Sequence, residues 1–232
     1  MPQPQILEPT AAYALWAASY PARAHNPLMR AEERAMLSLM PQRLQEQSVL
    51  DVGCGSGRYL LHAVRRGAQH LSGVDLSPQM LQQCEVELNP YRRDARIELQ
   101  LGDLRAIPVP DAGADLTVCG LVVGHLDDLQ KALAELYRVT RPGGIVLCSD
   151  VHPIGHALGW LREFGSGEQR YAVRHTQHLY SHWHLACSAL GLQIEALLEP
   201  RLDPADIPAG ARFDAQALEV PVALVFGLRR RC

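Results

Sequence analysis

Apolar residues along this chain repeat in two different rhythms, and the changes of rhythm divide it into elements. Ser48–Val52 is a short apolar run ended by Gly53-Cys54-Gly55-Ser56-Gly57, after which Leu60, Leu61 and Val64 recur at helical spacing between Arg58 and Arg66. The pattern predicts strand, glycine turn, helix. A second strand follows at Leu71–Asp75, with Ser77 as cap and Pro78 in the first turn of a helix that buries Met80, Leu81, Cys84 and Leu88. Ile97–Leu101 and Leu116–Gly120 read as the third and fourth strands. Between Asp127 and Val139, Leu129, Leu133, Leu136 and Val139 fall on one helical face, and Arg141-Pro142-Gly143-Gly144 is the predicted stop. Ile145–Ser149 is the fifth strand. Alternation of this kind implies a doubly wound α/β fold, a Rossmann-like parallel sheet built by right-handed crossovers.

The flanks have another character. Asn26 and Pro27 start a helix bearing Leu28, Met36 and Leu39 that Pro41 stops, so residues 1–41 are expected to form a helical N-terminal cap on a domain spanning 42–232. Residues 151–179 carry only short apolar runs among glycines and histidines, and read as a lid or substrate segment inserted after the fifth strand. Ser181–Leu190 is a helix closed by Gly191, and Gln193–Leu198 and Val220–Phe226 are two late strands joined by a proline-rich loop.

Composition narrows the chemistry. Of 22 Lys and Arg side chains, only Lys131 is a lysine, and no glycine loop adjoins it. Phosphate-loop and Schiff-base enzymes are thereby excluded. A net charge of −3 lacks the broad positive field of a nucleic-acid binder. No run approaches the roughly 18 apolar residues of a membrane span, and Met-Pro-Gln-Pro-Gln lacks a charged leader start. The six cysteines show no C-x-x-C spacing and read as reduced, buried thiols. The expectation is a cytoplasmic protein with no membrane and no nucleic-acid partner; oligomeric state leaves no trace in the sequence.

A glycine turn after the first strand lets backbone approach a ligand closely, and the following helix N-terminus favours an anion. Asp75, ending the second strand, is placed to accept from both hydroxyls of a ribose. The spacing Gly53, Gly55, Gly57 puts Arg58 where the dinucleotide fingerprint G-x-G-x-x-G needs its third glycine, which weighs against a dinucleotide. Val49-Leu50-Asp51-Val52-Gly53-Cys54-Gly55-Ser56-Gly57, Gly73-Val74-Asp75-Leu76-Ser77-Pro78-Gln79-Met80, Gly102-Asp103-Leu104 and Arg141-Pro142-Gly143-Gly144 together resemble the ordered motifs of class I S-adenosylmethionine-dependent methyltransferases. The resemblance is strong over residues 45–150. It implies a seven-stranded sheet of order 3-2-1-4-5-7-6 and S-adenosylmethionine as cofactor.

Carried over by position, Asp51, Gly53, Cys54 and Gly55 would seat the methionine moiety, and Asp75 would hold the ribose. Leu76 and Met80 would pack the adenine, Gly102, Asp103 and Leu104 would meet its amino edge, and Cys119 and Leu121 would pass beneath the donor. The closer resemblance is to the small-molecule, type 11-like group with an N-terminal cap. In that group the segment Tyr13-x-x-Trp16-Ala17-x-x-Tyr20 folds over the donor, which makes Tyr20, and after it Tyr13, a donor contact or an aromatic anchor of the cap.

Methyl transfer from a sulfonium asks the protein for alignment, exclusion of water and, for a protonated acceptor, a base. Histidine suits the last role, and ten are present. His125 follows the fourth strand and His152 the fifth, both at the edge where the methyl would point; each also reads as a capping or packed histidine. His178 reads as part of the lid or as a surface residue. The cluster His175, His178, His182 and His184 lacks a completing cysteine or carboxylate, so no metal is expected. The expected function is metal-independent methylation of a small organic acceptor at O, N or C. A methyltransferase of RNA or protein, a non-catalytic donor-binding module and a dinucleotide oxidoreductase are the alternatives. Arg30 and Arg162 are candidates to recognise an anionic acceptor.

Overall fold

The computed structural model describes residues 3–209 and 215–232. In chain order the elements are β1 (Gln5–Leu7), α1 (Pro9–Trp16), α2 (Pro27–Leu39), β2 (Ser48–Val52), α3 (Arg58–Arg65), β3 (His70–Asp75), α4 (Pro78–Leu88), β4 (Arg96–Leu101), β5 (Ala114–Gly120), α5 (Leu129–Val139), β6 (Thr140–Val151), α6 (Pro153–Ala157), β7 (Arg162–Ser166), β8 (Gln169–Val173), α7 (Tyr180–Leu190), β9 (Leu192–Leu198) and β10 (Ala223–Arg230). Seven strands form one sheet in the order β4-β3-β2-β5-β6-β10-β9. Numbered within the domain, that is 3-2-1-4-5-7-6. The first five run parallel, and β10 is antiparallel to both of its neighbours.

Adjacent residues on each central strand serve opposite faces, as the pleat requires. Val49, Leu147 and Val225 face a core built with α2, α3 and α4; Leu50, Val146 and Leu224 face one built with α5 and α7. A sheet buried on both faces needs apolar residues at nearly every strand position. The capping residues act as their types suggest: Asn26 accepts from Met29 N, Ser77 from Met80 N and Asp128 from Lys131 N, while Gly191 closes α7 in the left-handed region. Lys131 itself is exposed on α5.

Three details differ from the sequence expectation. Helix α5 ends at Val139, directly before the 141–144 run as expected, but the fifth strand starts ahead of Ile145: β6 begins at Thr140 and runs through those residues, with Gly143 at φ 75°. The late strand assigned to Val220–Phe226 begins at Ala223 and continues to Arg230. Part of the proline-rich loop before it, residues 210–214, lies outside the described residues. The lid segment is not irregular: β7 and β8 form an antiparallel hairpin, and β1 joins β8 in parallel to make a second, three-stranded sheet. The cap is accordingly not all helical, and it is stitched to the lid by backbone hydrogen bonds. Ala12, Trp16, Phe164 and Val173 form its own small core, in which Trp16 and Phe164 stack at 4.6 Å. Among the described residues no helix is long and apolar enough to cross a membrane.

Candidate active site

The turn after β2 has three glycines in left-handed backbone, at φ 70°, 53° and 93° for Gly53, Gly55 and Gly57. A side chain at Gly53 is barred, since its Cβ would lie 2.4 Å from Val122 Cγ2. A Cβ at Gly55 would meet no atom within 4 Å, because that face opens into a cavity. Gly53 N and Cys54 N donate to Val74 O at 2.7 and 3.1 Å and pin the turn against β3. Asp75, at the end of β3, takes Gly55 N on Oδ2 and Ser77 N on Oδ1, both at 2.8 Å. Each oxygen keeps a lone pair for a further donor. Burial raises the carboxyl pKa above its ordinary value, and the backbone N–H groups of Ser77, Gly55 and Leu76 oppose that shift.

The cavity, about 400 Å³, lies where β2 and β5 diverge at the carboxyl edge of the sheet, the switch point at which open α/β sheets bind ligands. Gly53, Gly55, Asp75, Leu76, Met80, Gly102, Asp103, Leu104 and Leu121 line its sheet side, and Tyr13, Tyr20 and Arg162 line the cap and lid side. Asp103 pairs with Arg105, whose Nε lies 3.0 Å from both carboxylate oxygens and whose hydrogen bonds hold the carboxyl below its usual range. Ser77, Arg105 and Val122 also reach the cavity, and nothing in the sequence marks them as ligand contacts.

Three residues assigned to the donor by position lie one step behind the wall. Asp51 is 2 % exposed, and burial pushes its carboxyl up to about 7. Cys54 is buried with its thiol turned back toward Gly55 O, 3.8 Å away. Cys119 is fully buried on the α5 and α7 face, opposite Cys148 of β6. The cavity wall is instead carried forward by Leu121, which follows the strand in left-handed backbone at φ 60°.

Of the three histidines proposed for catalysis, His125 alone lines the cavity. It sits on a single 3-10 turn after β5, with Nδ1 3.2 Å from Arg174 O and Nε2 2.8 Å from Tyr13 Oη. A carbonyl only accepts, so Nδ1 carries the proton and Nε2 accepts from the Tyr13 hydroxyl. Burial, with Arg162 and His175 beside it, lowers the His125 pKa to about 3. His152 lies outside the cavity: its Nδ1 accepts from Ile154 N as the cap of α6, and its Nε2 pairs with Glu199 at 3.1 Å. His178 is buried and donates to Leu126 O at 2.8 Å. Both are consumed by the scaffold: His152 caps α6, and His178 ties the connection before α7 to the loop after β5. The other members of the cluster also have separate partners: His175 donates to Asp150 at 2.9 Å, His182 accepts from Leu179 N, and His184 lies against Tyr180.

The two arginines considered for an anion also part company. Arg30 pairs with Asp206 at 3.6 Å, outside the cavity. Arg162, first residue of β7, projects into it. Its Nη2 donates to Tyr20 Oη at 3.0 Å and its Nη1 to Leu121 O at 3.2 Å, while its guanidinium lies 5.5 Å from the Tyr13 ring and 5.8 Å from that of Trp16. No carboxylate pairs with it among the described residues. A cation held by neutral oxygens and aromatic faces, facing an open cavity, is matched to an anion supplied from outside.

The sheet order, the glycine turn and the acid at the end of β3 define a class I methyltransferase fold. Residues 50–148 match the family model described as a methyltransferase domain. The chain belongs to the class I S-adenosylmethionine-dependent methyltransferase family, in its type 11-like branch. A malonyl-[acyl-carrier protein] O-methyltransferase from Serratia marcescens is 38% identical over 159 residues, covering 68% of this chain and 56% of that protein. The chain thus spans little more than half the length of that relative. Among solved structures, an S-adenosylmethionine-dependent methyltransferase from Mesorhizobium loti superposes with a TM-score of 0.69 at 24% identity, over 86% of this chain and 98% of its own. The [4+2]-cyclase SpnF superposes with a TM-score of 0.70 at 17% identity, over 96% and 95%. Those two likenesses speak to the fold alone.

Proposed function

We propose that this protein binds S-adenosylmethionine at the glycine turn and methylates a small acceptor on a carboxylate oxygen. The residues present fit the donor. Gly55 leaves the open face that a ligand backbone needs, Asp75 has two spare lone pairs for ribose hydroxyls, and Asp103 can accept from the adenine amino group. Leu76 and Met80 offer apolar surface to a flat ring. When bound, the donor supplies a sulfonium methyl that an acceptor oxygen attacks in line, with a neutral thioether as leaving group. The chain's own contribution is to orient the acceptor and keep water out.

The observation that carries the acceptor assignment is Arg162, a cation in the cavity wall that no carboxylate pairs with among the described residues. The electrostatics of His125 agree with it. A general base works best with a pKa near the working pH, and His125, at about 3 with its lone pair engaged by Tyr13, is far from that. A carboxylate is already deprotonated and needs no base. We assign His125 the task of fixing the Tyr13 hydroxyl, and with it the cap, over the cavity. The Serratia marcescens relative is named for O-methyl transfer to a malonyl group, which is the same acceptor chemistry.

Purified protein incubated with methyl-labelled S-adenosylmethionine and a malonyl thioester of N-acetylcysteamine should place the label in an ester that mild alkali cleaves. Arg162→Met should raise the acceptor KM by about thirtyfold, the cost of about 2 kcal/mol for removing one partner of a desolvated charge pair. Label in an alkali-stable product, or a KM indifferent to Arg162, would overturn the carboxylate assignment. Donor binding without transfer to any acceptor would favour the second reading, a donor-holding protein on a fold that also hosts a cyclase.

A further inference from the structure

Leu121 is a non-glycine residue in the left-handed region that also lines the cavity. A branched side chain does not adopt that conformation without something to hold it. The holder is visible. Leu121 N donates both to Ser149 O and to Ser149 Oγ, each at 3.0 Å. Ser149 is fully buried, and its hydroxyl proton goes to Glu32 Oε1 at 2.6 Å. Glu32, fully buried on α2, receives Tyr59 Oη on the same oxygen at 2.6 Å and Arg58 Nη1 on the other at 2.9 Å. Space around this group is closed, for a Cβ at Gly120 would lie 2.4 Å from the Tyr59 ring and 3.3 Å from Glu32 Oε1.

The other side of the Leu121 residue faces the acceptor end of the cavity. Its carbonyl accepts from Arg162 Nη1. One residue therefore links a buried carboxylate, through Ser149 on its N–H side, to the cavity-lining cation on its carbonyl side. We propose that Ser149 and Glu32 are positioning residues for the acceptor: they hold Leu121 in left-handed backbone so that its carbonyl aims the Arg162 guanidinium at the acceptor anion. This rests on the reading of Arg162 as the anion anchor. The Ser149 hydroxyl bonds Leu121 and Glu32, whereas the glycine turn and Asp75 are held by Val74 O, Gly55 N and Ser77 N, so the effect of removing that hydroxyl should be confined to the acceptor.

Ser149→Ala removes the Oγ link and leaves Arg58 and Tyr59 on Glu32. With the malonyl thioester as acceptor, it should raise KM about tenfold, the loss expected for one hydrogen bond to an ionised network. Turnover at saturation should stay within about threefold, and the Kd of S-adenosylhomocysteine by calorimetry within about twofold. In the double variant with Arg162→Met, the KM should be no higher than in Arg162→Met alone, because the serine acts through the arginine. A crystal structure of Ser149→Ala should show the Leu121 φ leaving the left-handed region.

A lowered melting temperature with unchanged KM would overturn the proposal, as would KM effects that multiply in the double variant. A retained Leu121 φ with Arg162 undisturbed would overturn it too, whether or not the acceptor is correctly assigned. A wild-type protein that binds S-adenosylhomocysteine yet leaves the malonyl thioester unmethylated contradicts the acceptor reading instead, and the crystallographic result then decides the positioning role by itself.

Discussion

Replacing Asp75 with alanine removes the group on which the donor reading depends most. In the folded protein both carboxylate oxygens are half used, one by Gly55 N and one by Ser77 N, each at 2.8 Å. The remaining lone pairs are the acceptors proposed for two ribose hydroxyls. Hydrogen bonds to a charged group contribute about 1.5–3 kcal/mol each. Losing two should therefore cost at least about 3 kcal/mol of donor affinity, or more than hundredfold in Kd. The two backbone N–H groups set free in the variant lie at the cavity wall, where water can replace the carboxylate, so the fold should survive. Asp75→Asn is the sharper variant. An amide has one accepting oxygen, and its NH₂ would confront whichever of Gly55 N and Ser77 N the oxygen does not serve. Asparagine should consequently rescue little, despite its near-identical volume. Isothermal calorimetry with S-adenosylhomocysteine measures both, alongside thermal unfolding as a check on folding. An alanine variant that stays folded and binds within threefold of wild type would refute the reasoning, and full affinity in the asparagine variant would refute the claim that both oxygens are engaged.

Two further outcomes follow from the turn and the residue beneath it. Because burial, joined by Asp75 and Glu32, raises the Asp51 carboxyl to about 7 against an ordinary value near 3.9 when unfolded, the folded state holds a proton that the unfolded state releases. That contribution to stability is complete below about pH 4 and is lost as pH rises through about 7, with a limiting slope of about 1.4 kcal/mol per pH unit. The melting temperature of Asp51→Asn relative to wild type should therefore climb across that window and level off above it; parallel curves would rule the shift out. Gly53→Ala combines a positive φ with a 2.4 Å clash on Val122, whereas Gly55→Ala keeps a positive φ but meets open space. The first should lose about 2 kcal/mol or more beyond the second, which bears only the left-handed backbone cost of about 1–2 kcal/mol. Equal melting temperatures for the pair would contradict the packing described for the turn.

What was legible in the sequence was local in origin. Strands β2, β3, β4, β5 and β6 and helices α3, α4 and α5 carry their own periodicity, and Asn26, Ser77 and Gly191 announce the ends they cap. Glycines with a positive φ and an acid at a strand end are chemical requirements that one residue can display, so the donor side of the cavity could be read directly. The lid was not legible for the opposite reason. β1 has three residues and exists only because it pairs with β8, some 160 positions away. In the hairpin only Phe164, Ala172 and Val173 are buried, too few to impose a rhythm. The proline and glycines at 142–144 do follow the end of α5 at Val139, yet they lie within β6, where Gly143 O also accepts from Arg229 of the neighbouring strand. The same limit applies to the histidines and arginines. His152 and His125 follow neighbouring strands in similar contexts, and only the packing of Glu199 against one and Tyr13 against the other separates scaffold from cavity. Arg30 and Arg162 were equivalent as residues until Asp206 claimed the first.

A crystal structure of the protein with S-adenosylhomocysteine and the malonyl thioester tests the central claim most directly. The account predicts ribose hydroxyls within hydrogen-bond distance of both Asp75 oxygens, and the acceptor carboxylate on the Arg162 guanidinium beside Leu121 O. A donor product bound away from the glycine turn, or an acceptor carboxylate held by any other cation, would contradict it.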